Sequence, residues 1–465
     1  MICRRADWRA PAKLSWPKTR QSRSPRVTVV EPIDARKRDD LPPLGGWDSR
    51  GMKPARAHEP RGGLLLELPV PKPTKPKRSS PLHAAVRDTP DRSLCPAVVS
   101  SAIALPEYEY GQRELAALSA RILGETGHTE AALARFFDRV GVKSRHLALP
   151  VEAYETLRGF GAKSRAWMDV ALRIGSCAVR DVLCEAGLDA SEIGMLMTTT
   201  VTGIAVPSLD ARLMNVLPFA SDLKRVPLFG LGCLGGAAGL ARTSEYLLAF
   251  PDQAAILLSV ELCSLTFQRD DISVPNLISV GLFGDGAAAV LLLGARHRLL
   301  AHHVSRQEAA RVASAVPPSG AQPRVLASRS VFFPDTERVM GWDVVDSGFK
   351  IVLSAEVPAI VERYIPAAVD SFLHDHGLLR SRIASWVMHP GGPKVIDALE
   401  KCLALPKDAL RSTREGLARV GNLSSASVLF LLDEHRREQA PVPGSYGLMM
   451  AMGPAFCAEL VLLQW

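Results

Sequence analysis

The chain has 465 residues, of which 47% are hydrophobic, and a formal net charge of +8, so it can build a sizeable core in roughly two to four domains. Its eight cysteines are scattered, with no C-x-x-C pair, which argues against a disulfide framework or a zinc site and favours a reducing compartment. No apolar run is long enough to span a bilayer, and the first residues lack the apolar segment of a signal peptide. We therefore expect a cytoplasmic protein with no membrane span and no bound metal.

The positive charge belongs to the beginning of the chain. Residues 1–94 carry 21 Lys and Arg against 10 Asp and Glu, whereas the remainder carries 35 against 38. Proline is frequent in this part, as in PVPKPTKPKRSSP (69–81), and no helix or strand period is sustained. This composition predicts a disordered extension over residues 1–93. Because aromatic residues do not alternate with the basic ones, we expect no nucleic-acid partner.

From residue 94 to about 300 the apolar pattern alternates between the strand period and the helix period. It predicts strands over 96–105, 194–200, 226–229, 254–261 and 284–294, and helices over 112–125, 129–140, 162–187, 240–250 and 275–283. Strands that alternate with helices indicate a layered α/β fold.

The part from 301 to 465 repeats this theme after an irregular stretch over 305–328. The pattern predicts a helix over 352–374, a strand over 385–390, two helices, a helix that opens from GNLSS (421–425), and a glycine turn that leads into a final strand. The tail AMGPAFCAELVLL has the same order of residue types as GLFGDGAAAVLLL in the first half. Two halves that end alike predict an internal duplication, 94–300 and 301–465, with a site where the halves meet.

Cys233 lies in the run VPLFGLGCLGGAAG (226–239), between a short strand and a helix. A cysteine near a helix N-terminus is favoured as a thiolate by the helix dipole, and glycines beside it let an acyl group approach. The run therefore predicts a nucleophile, although a lone cysteine beside an apolar strand is more often buried and inert.

The same run also fits a dinucleotide-binding motif. Gly230, Gly232 and Gly235 form G-x-G-x-x-G between a strand and a helix, and Glu261 ends the next strand, where a ribose-binding acid would fall. A nicotinamide-dependent oxidoreductase is therefore an alternative, in which Cys233 would be dispensable.

Two further side chains could complete an acyl-transfer site. His389 ends a strand in VMHPGGPK, and Asn422 lies in the turn GNLSS before a helix. A thiolate, an imidazole and an amide can together hold a thioester and stabilise an oxyanion. Each of them also has a structural interpretation, as does Asp285 in FGDGAAA, which we interpret as a turn residue.

Five motifs occur in an order that resembles the type III polyketide synthases of the chalcone and stilbene synthase superfamily. They are GLGCLGGAAGL, LFGDGAAAV, HPGGPK, GNLSSASVLFLLDE and GPAFCAELVLL, and MGWDVVDSGFKIVLS (340–354) resembles the bacterial branch that makes alkylpyrones, alkylresorcinols and phloroglucinol. The resemblance covers about residues 94–465. It implies a homodimer with a thiolase-like α-β-α-β-α layered fold.

The resemblance also implies the roles of individual residues. Cys233 would carry the acyl chain and pair with His389 as an imidazolium, while His389 and Asn422 hold the malonyl thioester as carbon dioxide leaves. Phe283 would be the gatekeeper that disfavours the carboxylate. The cavity would be shaped by Thr202, Val206, Glu261, Cys263, Thr266, Trp342, Ile351 and Ser424. The coenzyme A phosphates would meet Lys143, Arg145 and Lys394, because cations suit that polyanion.

Some positions differ from the family pattern. Plant chalcone synthases have threonine at the position of Cys263 and glycine near that of Trp342, and many relatives have methionine at the position of Val206, where it reaches across the dimer. A chalcone cavity is therefore not expected.

The predicted function is extension of an acyl-CoA starter, expected to be fatty acyl, by malonyl-CoA without a cofactor, followed by cyclisation to an alkylpyrone or alkylresorcinol. The alternatives are a β-ketoacyl-carrier-protein synthase III that condenses once, the NAD(P)-dependent oxidoreductase, and a non-catalytic binding protein. Thiolase and hydroxymethylglutaryl-CoA synthase are disfavoured by GNLSSAS. Starter length, number of extensions and mode of ring closure are left open.

Overall fold

The computed structural model describes residues 91–123, 130–300, 321–439 and 441–465. The predicted disordered extension therefore lies outside the described residues except for its last three, which lead into a short 3-10 turn at Arg92–Leu94. The predicted boundary between 300 and 301 falls at the edge of a stretch that the structure does not describe.

Thirteen strands are formed in the described residues. They are β1 (Ala97–Ala104), β2 (Tyr108–Gly111), β3 (Ser144–Leu147), β4 (Ile193–Thr200), β5 (Lys224–Phe229), β6 (Ala254–Leu262), β7 (Asp285–Leu293), β8 (Arg324–Phe332), β9 (Met340–Val345), β10 (Gly348–Leu353), β11 (Ile383–Met388), β12 (Tyr446–Gly453) and β13 (Cys457–Gln464).

Eleven α-helices are formed in the same parts of the chain. They are α1 (Gln112–Leu123), α2 (Glu130–Asp138), α3 (Val151–Thr156), α4 (Gly159–Ala186), α5 (Leu209–Leu213), α6 (Gly235–Ala249), α7 (Val274–Leu282), α8 (Val357–His374), α9 (Pro393–Leu403), α10 (Arg411–Val420) and α11 (Ser425–Glu434). None of the helices in the described ranges is long and apolar enough to cross a membrane.

The two halves have the same strand arrangement. In the first half β4 is parallel to β6, and β6, β7 and β1 follow in antiparallel pairs; in the second half β11 is parallel to β12, and β12, β13 and β8 follow in the same way. Strand β5 adds an outer parallel edge to β4. The halves join at one pair, Ala97 with Arg324. The predicted duplication is confirmed by this topology.

The side chains on the two faces of the sheet pack against different helices, and this arrangement divides the fold into five layers. In β6, Ile256 and Leu258 pack toward α4, while Ala255 and Leu257 pack toward α6 and α11. The strand β13 divides its side chains in the same way between α8 and the central helices. The layers are therefore α4, the first half of the sheet, the pair α6 and α11, the second half of the sheet, and α8 with α9, which confirms the predicted α-β-α-β-α fold.

Three details differ from the sequence predictions. The helix predicted from Val352 begins at Val357, because Gly348–Leu353 forms strand β10 and pairs with β9. Part of the predicted irregular stretch, from Arg324, is strand β8, which lies between β13 and β1. The helix predicted from Leu240 begins earlier, at Gly235, directly after the Cys233 turn.

Candidate active site

Cys233 lies in a 3-10 turn, Gly232–Leu234, between β5 and the N-terminus of α6. Gly232 has φ +51°, and a Cβ there would lie 2.6 Å from Cδ of Pro454, so only glycine fits the turn. The Cys233 Sγ lies 3.6 Å from Ser424 Oγ at the start of α11. The nucleophile predicted at a strand-to-helix turn is therefore at such a turn, in the central layer.

The protonation of Cys233 is governed by burial. Burial raises the pKa of the thiol to about 12, Glu261 adds to the increase, and the contact with Ser424 lowers it. Burial therefore opposes the preference for thiolate expected near a helix N-terminus, and that preference stays a prediction.

His389 follows β11, and its main-chain N–H donates to Met450 O at 2.9 Å in β12. The side chain is buried, and neither ring nitrogen has a hydrogen-bond partner among the described residues. Burial lowers the pKa of the imidazole to about 3. The imidazolium–thiolate pair stays a prediction, since its attraction would have to offset the desolvation of both groups.

Asn422 is buried in the turn between α10 and α11. Its Oδ1 accepts from Ser424 N at 2.8 Å and from Ser427 Oγ at 3.4 Å. With the carbonyl end of the amide occupied, Nδ2 is left as the donor that can meet an oxyanion.

Phe283 follows α7 and pairs with Asn422 through the main chain. Asn422 N donates to Leu282 O at 2.9 Å, and Gly284 N donates to Asn422 O at 3.0 Å. The two halves of the chain therefore place the predicted gatekeeper and the predicted amide donor side by side.

Trp342 and Ile351 form a cross-strand pair in the β9–β10 sheet. The Trp342 ring lies 6.4 Å from that of Phe283, centroid to centroid. Two of the predicted cavity residues are thus on one hairpin, beside the predicted gatekeeper.

Glu261 lies near the end of β6, is fully buried, and accepts hydrogen bonds from residues of both halves of the chain. Its Oε2 accepts from Thr202 Oγ1 at 2.8 Å, Val201 N at 3.1 Å and Thr200 Oγ1 at 3.2 Å, and its Oε1 accepts from Ser425 Oγ. Burial raises the pKa of this carboxyl, and the four hydrogen bonds lower it. A carboxyl so enclosed has no free face for a ribose, which argues against the dinucleotide interpretation.

A cavity of about 60 Å³ lies between α1 and the turn that follows β6. Cys263 and Phe283 line it together with mostly apolar residues of α1, and Thr266 is buried in the same turn as Cys263. A larger cavity, about 410 Å³, is lined by charged residues such as Lys163 and Arg269 and by none of the four predicted catalytic residues. Of those four residues, Phe283 lines the smaller cavity, whereas Cys233, His389 and Asn422 line neither of the two.

The predicted coenzyme A cations fall into two groups. Lys143 and Lys394 are exposed, and a Cβ at Gly141 would lie 3.3 Å from Pro393, so their two segments are neighbours. Arg145 differs, since it is only 3% exposed and donates to main-chain carbonyls. Its predicted role at the phosphates is corrected, because a guanidinium enclosed in this way cannot reach a surface polyanion. Val206 is 95% exposed, so it lies on the surface, and it lines neither of the two cavities.

Comparison with known proteins assigns the chain to a family. The N-terminal domain of chalcone and stilbene synthases matches residues 98–296, and the C-terminal domain matches residues 324–465. A 1,3,6,8-tetrahydroxynaphthalene synthase of Streptomyces peucetius subsp. caesius is 46% identical over 375 residues, covering 81% of this chain and 94% of the relative. The chain belongs to the type III polyketide synthases.

Other members of this family agree with the assignment. A putative chalcone synthase of Bacillus subtilis (strain 168) is 35% identical over 79% of this chain and 98% of the relative. The crystal structure of the 1,3,6,8-tetrahydroxynaphthalene synthase of Streptomyces coelicolor A3(2) has a TM-score of 0.69 and 28% identity, and covers 79% of this chain and 99% of that chain. This type III polyketide synthase is therefore an acyltransferase-type enzyme with a thiolase-like fold, as its motifs indicated.

Sequence reasoning missed Ser425 and Ser259, which contribute to the synthase site, and did not foresee the conformation of the predicted cavity residue Ser424. Ser425 joins the Glu261 carboxyl to Ser259 Oγ, which lies 2.7 Å away. Ser424 has φ +49°, a left-handed conformation that is unusual for a residue other than glycine and is often found at functional sites. The run of serines in GNLSSAS was the available signal. No sequence pattern indicated that Arg145 is enclosed.

Proposed function

We propose that this enzyme builds a polyketide by repeated decarboxylative condensation of malonyl-CoA on Cys233. Cys233 Sγ attacks the thioester of the starter and releases coenzyme A. A malonyl-CoA then loses carbon dioxide, and its enolate carbon attacks the acyl group on Cys233, so that a carbon–carbon bond forms and the sulfur leaves. The observation that supports this most directly is that Cys233 and the Asn422 turn lie at the N-termini of the two central helices. They meet at Ser424, whose Oγ is 3.6 Å from the Cys233 Sγ, and Phe283 pairs with Asn422.

The other residues supply binding and charge stabilisation. His389 and the Asn422 Nδ2 would donate to the thioester oxygen as negative charge develops on it. Phe283 would present an apolar face to the malonyl carboxylate, whose loss relieves an unfavourable contact. Since hydrogen-bond donors can stabilise a thioester enolate, the proposed reaction needs no metal or redox cofactor.

For the starter we favour malonyl-CoA itself, with 1,3,6,8-tetrahydroxynaphthalene as the product. The relative of that name is 46% identical over nearly its whole length, and the small cavity has little room for a long chain. The second candidate is a fatty acyl starter with an alkylpyrone or alkylresorcinol product. It is supported by the apolar residues of α1 that line the cavity, Leu115, Leu118 and Ile122.

We also propose that the enzyme is a cytoplasmic homodimer. Strand β5 is an edge strand with exposed residues, and the exposed apolar residues Ile204, Val206 and Phe229 lie on it or on the loop beyond β4. Such an apolar patch favours a second copy. All seven cysteines in the described ranges are free thiols, which fits a reducing compartment.

The test is the mass of the products formed from malonyl-CoA alone and from malonyl-CoA with acyl-CoA starters from acetyl to palmitoyl. A naphthalene product from malonyl-CoA alone supports the favoured starter, and pyrones or resorcinols with a fatty acyl-CoA support the second. A single condensation would instead indicate a ketoacyl synthase III activity. Cys233→Ala should abolish every product, and products that persist in this variant would contradict the proposal.

A further inference from the structure

Arg145 caps the C-terminal end of α7 from inside the protein. It projects from β3, and its Nη1 donates to Val280 O and to Phe283 O, each at 2.6 Å. These carbonyls belong to the last turn of α7 and to the residue after it, where helical partners are missing. A guanidinium suits this position because the C-terminus of a helix carries partial negative charge.

One of the two carbonyls that Arg145 binds belongs to Phe283, the proposed gatekeeper. The main chain of Phe283 is held on one side by Arg145 and on the other by its pairing with Asn422. The peptide groups on either side of Phe283 supply that pairing, through Leu282 O and Gly284 N. Any shift of the Phe283 carbonyl would therefore move the turn that holds Asn422.

Arg145 also contacts the Asn422 turn directly. Gly421 has φ +74°, and a Cβ there would lie 3.0 Å from Cδ of Arg145 and 2.8 Å from Leu282 O. The methylene groups of Arg145 therefore pack directly against the turn at Gly421.

The charge of Arg145 is balanced within the protein. Burial lowers the pKa of the guanidinium to about 10, and Asp285, two residues beyond Phe283, opposes that shift. The Asp285 carboxylate accepts from Ala148 N at 2.6 Å and from Ser264 N at 2.8 Å. The two charged groups therefore hold β3, the Phe283 segment and the Cys263 turn together.

Resting on the proposed condensation, we infer that Arg145 is a positioning residue for the decarboxylation step. It holds the Phe283 main chain and, through it, the Asn422 amide at the place where the malonyl thioester becomes an enolate. It lines the small cavity beside Phe283 but has no contact with the Cys233 turn among the described residues, so we expect loading of a short starter to depend on it much less than decarboxylation does. A structural role alone would affect both steps.

The test measures the two steps separately. Carbon dioxide release from malonyl-CoA is measured in the Cys233→Ala background, where no acyl-enzyme can form. Starter loading is measured with Cys233 intact, as the mass increase of the protein after brief exposure to acetyl-CoA. With Arg145→Met we expect release to fall about 10- to 100-fold, because hydrogen bonds from a charged donor are lost, and loading to stay within about threefold.

Arg145→Lys keeps the charge on a shorter side chain, so it should lower release less than Arg145→Met and provides the test if the latter does not fold. The matched control is Arg436→Lys, which also removes a buried guanidinium bound to main-chain carbonyls, Val99 O at 2.8 Å and Ala321 O at 3.1 Å. We expect it to reduce stability without changing the ratio of release to loading. Equal losses of both steps in the Arg145 variants, unchanged release, or the same altered ratio in the control would overturn the inference. Absence of release in the Cys233→Ala parent would instead count against the proposed function.

Discussion

Gly453→Ala tests whether the position of the Cys233 turn depends on close packing against the end of β12. A Cβ at Gly453 would lie 2.6 Å from Leu231 O and 3.0 Å from Leu234 N, which are main-chain atoms on either side of Cys233, the proposed nucleophile. Carbon and oxygen normally approach to about 3.3 Å, so the turn or the strand must move by roughly 0.7 Å. Overpacking of this kind costs about 1–3 kcal/mol of unfolding free energy.

Activity should fall further than stability. A misplacement of about 1 Å at a reacting group can cost about 100-fold in rate, so we expect kcat/KM for malonyl-CoA to fall about 10- to 100-fold at a temperature where the variant is fully folded. Urea unfolding and steady-state product formation are the two measurements. The matched control is Gly111→Ala, also the last residue of a strand, where a Cβ meets nothing within 4 Å; it should leave both quantities nearly unchanged. A Gly453→Ala enzyme with wild-type stability and kcat/KM would refute the packing argument.

Three further outcomes are expected. Burial raises the pKa of the Asp285 carboxyl from 3.8 to about 6, so the native state favours the neutral carboxyl. The stabilisation of the native state by this neutral carboxyl is complete below pH 3.8 and is lost as the pH rises through 6. In urea titrations, the unfolding free energy of the wild type minus that of Asp285→Asn should therefore fall by about 3 kcal/mol from pH 4 to pH 7. Lys143→Ala and Lys394→Ala should raise KM for malonyl-CoA several-fold, most strongly at low salt, but not KM for the N-acetylcysteamine thioester of malonate, which lacks phosphates; an equal rise for both thioesters would exclude a phosphate contact. Trp342→Gly should widen the space beside Phe283 and shift the products toward larger starters or longer chains by mass; an unchanged product profile would show that this ring does not limit the cavity.

The layered fold and the placement of Cys233 at a strand-to-helix turn could be predicted from the sequence because they depend on local patterns. A strand that is buried on both faces has a continuous apolar run, and the Cys233 turn carries its glycines within a few residues of the sulfur. The hairpin with Trp342 and Ile351 was missed because a helical apolar pattern overlapped the end of β10.

The electrostatics of the site could not be predicted in the same way. The helix dipole at Cys233 is a local property, whereas the burial that raises its pKa comes from both halves of the chain. Arg145 was assigned to the surface for the same reason, since its enclosure depends on α7 and on the Asn422 turn, which are far away in the sequence. Motif and charge indicate which groups are present, but long-range packing decides their ionisation.

The β9–β10 hairpin forms a sheet of its own, separate from the nine strands that hold the central helices. Substitutions of exposed side chains within residues 340–353 therefore leave the strand pairing of the sheet behind Cys233 and Asn422 intact. Such a division would let substrate selection diversify in evolution at little risk to folding. It also makes the hairpin a natural unit for exchange between synthases when a different ring system is wanted.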